Sequence, residues 1–321
     1  VNLLLYFEMS SWLAFIFWLV QIGLIISFSL KNFRLEKLLK TDWRIYLLLL
    51  LPVLVRLIVI LISPSHHHAD EFVTGYFSAN YDLKQNNFFA PIPRNKAEWV
   101  CQFPSVYFFL QKLFFLIFGT SQLTLRLSAL PYMLIISVFT YLLAKKVYHK
   151  KIGLVAIISL SFFAPALFFQ TLGLHFISST AMFISLIYLL TSYSLNKNSQ
   201  LAPLIGLSLT FNLLFYTSSY LALPLTALFF IYLLISRPNQ RQKTVKDLAL
   251  LVTIFLISFS PFLIKPIKTN DFYFLKRIEQ VNAYNGSWMA DNAENSGYRS
   301  FFKNLGKSAS ALVTSQVGGH G

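Results

Sequence analysis

Charge is scarce in this chain, and negative charge most of all. Only 12% of its 321 residues are charged, and 12 acids stand against 27 bases. A soluble globular domain carries about 25% charged residues, so an ordinary water-facing surface is excluded. A single cysteine, Cys101, excludes an internal disulfide and a cysteine-based metal site. Strands of about 10 alternating residues are absent, which argues against a transmembrane β-barrel. The N-terminus lacks the basic segment and small-residue cleavage site of a signal peptide.

What is present is apolar: 56% of the residues are hydrophobic and 17% aromatic. Apolar runs cover 11–30, 45–62, 127–144, 152–170, 174–195, 201–217, 219–236 and 248–265. Most are long enough to cross a bilayer core of about 30 Å. The expected fold is an all-α polytopic membrane protein, a bundle of about eight transmembrane helices. Its least certain boundary is 201–236, where two runs meet near Thr217-Ser218-Ser219 with almost no loop.

The formal charge of +15 would suggest nucleic acid in a soluble protein. Here Lys and Arg concentrate in the loops 31–44, 145–151 and 237–246, where they set topology and meet anionic lipid headgroups. Membrane lipids are therefore expected partners, and nucleic acid is not. The same loops read as cytoplasmic, which puts loop 64–125 and segment 266–321 on the exoplasmic side. Within the loop, 104–118 is too short to span and holds Gln111 and Lys112. With Pro104 near its start and Gly119 after its end, it reads as a helix lying in the interface. A second interfacial helix is expected at 298–313, where Phe301, Phe302, Leu305 and Leu312 fall near one face.

Against this background the pair Asp70-Glu71, following His66-His67-His68-Ala69 and the apolar run that ends at Ile62, is the main functional candidate. Three readings are open. The acids can serve the start of a helix, where free N–H groups and the positive dipole end favour them. They can bind a cation. Three consecutive His cannot all face one ion, and no Cys/His cluster has ligand spacing, so no metal site is assigned. Two carboxylates could still hold a hard divalent cation such as Mg²⁺ or Mn²⁺ through waters. Finally, a carboxylate partly desolvated at headgroup level, beside a second acid, is a better proton acceptor. It can take the proton of a hydroxyl attacking an activated carbon.

Loop 64–125 resembles the first exoplasmic loop of the GT-C glycosyltransferases, in the group that contains protein O-mannosyltransferases and lipid A aminoarabinose transferases. Three features carry the likeness, in order. An apolar span ends in Asp70-Glu71-Phe72. Phe103-Pro104-Ser105-Val106-Tyr107 then runs into Phe118-Gly119-Thr120-Ser121. Leu125-Arg126-Leu127 opens a span that ends in Lys145-Lys146-Val147-Tyr148. Weaker likeness continues through Phe215-Tyr216-Thr217, Leu221-Ala222-Leu223-Pro224, Lys276–Val281 and Lys303–Lys307.

The resemblance implies a GT-C-like core over 45–265, including loop 64–125, and the start of a late exoplasmic loop over 266–321. Residues 1–44 would add an N-terminal helix and a basic loop. In the family that late loop leads to further spans, so the resemblance implies further C-terminal helices beyond Val317-Gly318-Gly319-His320-Gly321. The implied donor is a polyprenyl-phosphate sugar, and the acceptor a lipid, protein or polysaccharide, at the outer face of the cell membrane. Asp70 would be the general base in an inverting transfer, with Glu71 orienting the acceptor or holding Asp70. Arg126, Lys112 and His175 are candidates to neutralise the leaving phosphate. His68 is a candidate hydrogen-bond donor to substrate and Tyr76 a stacking aromatic, while Gln170 and His175 flank the short turn Thr171-Leu172-Gly173. Two departures stand out. The family commonly has His or Lys where this chain has Phe103, and residues 216–223 hold no base.

Other functions remain open from the residues alone. A lipid or sugar transporter or flippase would carry intramembrane acids, internal repeats and helices broken at midplane; no acid falls inside the expected spans. An inactive, truncated relative is the other alternative. Arg56, near the middle of a span, is costly there. Either the span breaks at Pro52 and the side chain reaches the interface, or it faces a polar cavity and pairs with an acid.

Overall fold

The computed structural model describes residues 1–2, 11–30, 43–62, 68–82, 86–92, 102, 104–196 and 198–276. His66, His67, Phe103 and the expected helix at 298–313 lie outside the described residues.

Among the described residues the chain is helical throughout, with no strand. Two long apolar helices, α1 (Ser11–Leu30) and α2 (Trp43–Ile62), come first. Three short helices follow: α3 (Ala69–Ala79), α4 (Val106–Phe118) and α5 (Gln122–Leu127). The rest of the bundle is α6 (Leu130–Val147), α7 (Lys150–Phe162), α8 (Ala164–Thr171), α9 (Phe176–Asn196), α10 (Leu201–Phe215), α11 (Ala222–Ser236), α12 (Arg241–Phe259) and α13 (Ile264–Thr269). The α4 helix begins after Pro104 and Ser105 and ends at Gly119, whose φ of 79° is the positive value that favours glycine at a helix C-terminus.

Among the described residues six helical stretches are long and apolar enough to cross a membrane, and a seventh results if α7 and α8 count as one bent span. Their outward side chains, among them Phe28, Ile58, Leu228 and Ile235, are exposed, an arrangement suited to lipid rather than water. This chain is an all-α polytopic membrane protein. The remaining expected run, 201–217, contributes only α10, whose 15 residues reach about 22 Å, short of a bilayer core. Nearly all of α10 is buried. It packs between α9 and α12 with α1 alongside, so it is apolar on every side because protein surrounds it.

The abundant phenylalanines have a packing role. Trp18 of α1, Phe88, Phe89, Phe109 and Phe262 form one buried cluster, with Phe15 and Phe88 at 4.5 Å between ring centroids. The Trp18 indole N–H donates to the Ser258 carbonyl at 2.9 Å, so the one polar atom of that side chain is satisfied.

The basic end of the bundle is tied by polar contacts. Lys146 donates to Asn196 at 3.0 Å, and Arg237 donates to the carbonyl of Ser194 at 3.0 Å. Asp247, in the second turn of α12, is buried and accepts from Tyr193 at 2.7 Å and from Ser199 at 2.9 Å. It lies one residue ahead of the expected span 248–265, which itself holds no acid. The helical stretch from Pro238 to Thr269 includes it, because the helix begins among the basic loop residues, ahead of its apolar run.

Candidate active site

The opposite end of the bundle carries the acid pair. There α3 starts at His68, whose backbone is extended (φ −86°, ψ 136°) and whose Nδ1 accepts the amide N–H of Asp70 at 3.2 Å. The residue that caps this helix is therefore His68. Asp70 and Glu71 occupy the first turn, where the unsatisfied N–H groups and the dipole favour negative charge. The bond to His68 Nδ1 leaves the ring proton of neutral His68 on Nε2.

The two acids then diverge. The Asp70 side chain is 44% exposed, and one of its oxygens lies 3.9 Å from His68 Nδ1. The Glu71 side chain is 2% exposed and is held from three directions. Arg126 donates Nε to one oxygen at 2.8 Å and a terminal nitrogen to the other at 2.9 Å. The amide of Gly173 donates to the first oxygen at 3.1 Å. Arg126 is itself buried. A two-pronged guanidinium–carboxylate pair is among the strongest polar contacts, and its burial makes the loss of either partner costly. Residues from α3, α5 and the turn after α8 are thus pinned together.

Gln111 of α4 joins the same group of elements. Its amide nitrogen donates to the Tyr107 hydroxyl at 2.9 Å and to the Gly173 carbonyl at 2.8 Å, and its oxygen accepts from Ser78 at 2.6 Å. Tyr107 is fully buried. Burial first, then the nearby Tyr132 and Glu71, push its phenol well above the usual tyrosine range, so it acts as a neutral hydrogen-bonding group. Tyr81, beside this network, has its phenol pushed up to about 12 by burial, partly offset by the hydrogen bond with Ser105. The turn also needs a glycine: a Cβ at 173 would lie 2.5 Å from Leu125 Cγ and 2.9 Å from the Leu125 carbonyl oxygen.

Of the residues singled out in the sequence, the structure brings Asp70, Glu71, His68 and Arg126 to one place, with the His175 turn behind them. The His175 ring contacts Tyr107 at 6.0 Å and Tyr216 at 4.3 Å between centroids. Tyr76 lines a cavity of about 260 Å³ with Glu71, Phe72, Phe115, Ser121 and Gln122. Lys112 is elsewhere: its Nζ donates to the Ala79 carbonyl at 2.6 Å, at the far end of α3, about 14 Å of helix from Asp70. Gln111 and Tyr107 were not foreseen as site residues. The available signal was a glutamine inside an otherwise apolar helix.

Gln170 serves Arg56. The span of α2 continues through Pro52, and Arg56 is fully buried. Its partners are not acids, and it does not reach for the interface. Nε and one terminal nitrogen donate to Gln170 Oε1 at 3.2 and 2.7 Å. The terminal nitrogens also donate to the carbonyls of Leu160 at 2.8 Å, Ser161 at 3.0 Å and Pro52 at 3.4 Å. The reason lies in Pro165. It opens α8 at a bend of 64° from α7, and it has no N–H to give Ser161. In lipid such freed carbonyls must find another donor, and Arg56 supplies it.

Among the described residues no group of three or more His, Cys, Asp or Glu side chains comes together as a metal site. No curated protein and no solved structure matches the chain. One family model does, that of dolichyl-phosphate-mannose-protein mannosyltransferase, over residues 102–264, half of the chain. The matched stretch contains Gln111, Arg126 and Gly173, while Asp70 and Glu71 precede it. A polytopic helical bundle carrying that match over half its length belongs to the dolichyl-phosphate-mannose-protein mannosyltransferase family, a family of membrane glycosyltransferases.

Proposed function

We propose that this protein transfers a sugar from a polyprenyl-phosphate donor to an acceptor hydroxyl at the exoplasmic face of the cell membrane. Asp70 acts as general base, and the anomeric centre inverts. The observation that carries this reading is the division of labour between the adjacent acids. Glu71 is committed to Arg126 and Gly173, whereas Asp70 stays partly exposed on the first turn of α3. A base must reach the proton it removes, and Asp70 is the acid of the pair that can. Family membership supports a lipid-linked donor. The basic loops at the other end of the bundle support the sidedness.

In the transfer, the acceptor O–H proton passes to an Asp70 oxygen as the acceptor oxygen bonds to the anomeric carbon. The bond from that carbon to the donor phosphate breaks, and the phosphate leaves with its electron pair. The Glu71–Arg126 pair keeps the start of α3 in place. With Arg126 engaged in this way, its role is support of Glu71 rather than contact with the phosphate.

The test is transfer from a panel of polyprenyl-phosphate sugars by the purified protein in nanodiscs. Asp70→Asn keeps the shape and removes the basicity, and it should lower kcat by about 10²-fold or more. Near-normal transfer by this variant would sink the assignment.

A further inference from the structure

We propose that Arg56, inside the membrane, is a positioning residue for this reaction. It fixes the break between α7 and α8 and thereby the turn that holds Glu71. The inference rests on the transferase reading for its kinetic part and on geometry alone for the rest.

An intramembrane arginine calls for an explanation of its partners. Arg56 makes five hydrogen bonds, as many as a guanidinium has N–H groups. Two go to the carbonyls of Leu160 and Ser161, in the last turn of α7 before the break. Two go to Gln170, the penultimate residue of α8. The guanidinium therefore spans the bend and ties the last turn of α7 to the C-terminal end of α8.

Three residues beyond Gln170, Gly173 donates its amide to Glu71 and accepts Gln111 at its carbonyl. Two residues further, the His175 ring packs against Tyr107 and Tyr216. The contacts form one continuous path: Arg56, Gln170, the 171–173 backbone, Glu71, and the first turn of α3 with Asp70. The helix α8 also packs on α2 and α9, and the Arg56 side chain adds the polar tie across the bend at Pro165. A swing of α8 at that bend would displace the Gly173 amide, and small misplacements of a reacting group lower rates steeply. A plain structural role would require only that the carbonyls be satisfied. The two hydrogen bonds to Gln170 Oε1 go beyond that, since they tie the guanidinium to the segment leading into the site.

The test uses the full chain in nanodiscs and two readouts. Amide hydrogen exchange over 171–175 reports the Gly173–Glu71 bond directly. Gln170→Met, which removes the acceptor at similar size, should speed exchange there by about tenfold or more, with 193–199 at the other end of the bundle unchanged. It should lower kcat by about tenfold while the donor KM stays within about twofold. Gln170→Glu keeps an acceptor for Arg56 and should retain both protection and turnover. Arg56→Lys should resemble Gln170→Met, and the double variant should be no slower than Arg56→Lys alone, because both changes cut one link. If Arg56→Lys does not fold, Gln170→Met and Gln170→Glu carry the test. Unchanged exchange over 171–175 in Gln170→Met overturns the proposal, as does faster exchange with an unaltered kcat. Full transfer by Asp70→Asn would remove the base assignment and leave the exchange result standing.

Discussion

Glu71 and Arg126, 55 residues apart in sequence, meet as a buried two-pronged ion pair. This contact joins the first turn of α3 to α5 and, through Gly173, to the turn after α8. Removing one member leaves the other charged and buried, which typically costs about 3–5 kcal/mol. Glu71→Met and Arg126→Met should each lower the thermal unfolding midpoint in detergent sharply and abolish transfer. The double substitution should recover much of the stability and none of the activity. A double variant as unstable as the singles would show that the pair is not the interaction being lost.

The turn at 171–175 makes a steric prediction. A Cβ at Gly173 meets the Leu125 backbone carbonyl as well as its side chain, whereas a Cβ at Gly75 meets only the end of the Leu125 side chain, 3.0 Å from Cδ2. Side-chain ends can move and packed backbone cannot. Gly173→Ala should therefore destabilise by about 2 kcal/mol or more, and Gly75→Ala by less than about 1 kcal/mol. Unfolding midpoints measured side by side decide this, and equal losses would contradict it.

Alkaline behaviour follows from the buried phenols. The Tyr81 phenol titrates at about 12 in the folded chain against 10.0 ordinarily, and burial moves Tyr107 the same way. Between those values the unfolded chain releases protons that the folded chain keeps, so stability is fully present below pH 10 and is lost as pH rises from 10 towards 12. Tyr81→Phe should flatten part of that slope. At neutral pH it should cost about 1 kcal/mol through the lost hydrogen bond to Ser105. Unfolding midpoints at stepped pH, with phenolate absorbance followed in parallel, check both parts.

The helices were legible because apolar runs of bilayer length leave few alternatives, and α4 was framed by Pro104 and Gly119. The acid pair was legible for the opposite reason, being charge where charge is rare. The sequence could not say which acid would be buried: Asp70 and Glu71 are adjacent, and their fates depend on Arg126 and Gly173, which only the packing of α5 and α8 brings near. The same limit applies to Arg56. Sequence logic offered it an acid or the interface, because carbonyls freed by a proline more than 100 residues away carry no local signature. Asp247 marks the boundary of one such apolar run. It lies one residue before the run, and helices begin ahead of such runs when a polar cluster can take up their first turns.

Asp247 provides the contrast that separates stability from catalysis. It sits at the basic end of the bundle, where Tyr193 and Ser199 donate to one of its oxygens. Tyr193→Phe removes one of these bonds and keeps the ring, which packs on Phe230 at 5.4 Å. The expected cost is about 1–2 kcal/mol, because the bond is to a charged acceptor. Asp247→Leu should cost less than the sum of losing both bonds, since no buried charge remains to be satisfied. Neither change touches α3, α5 or the 171–175 turn. Transfer per folded molecule should therefore stay within about twofold of wild type, while the unfolding midpoint falls. A large drop in kcat for Tyr193→Phe, at unchanged fold, would mean that the two ends of the bundle are energetically coupled, and the localisation of the chemistry to the Asp70 end would have to be withdrawn.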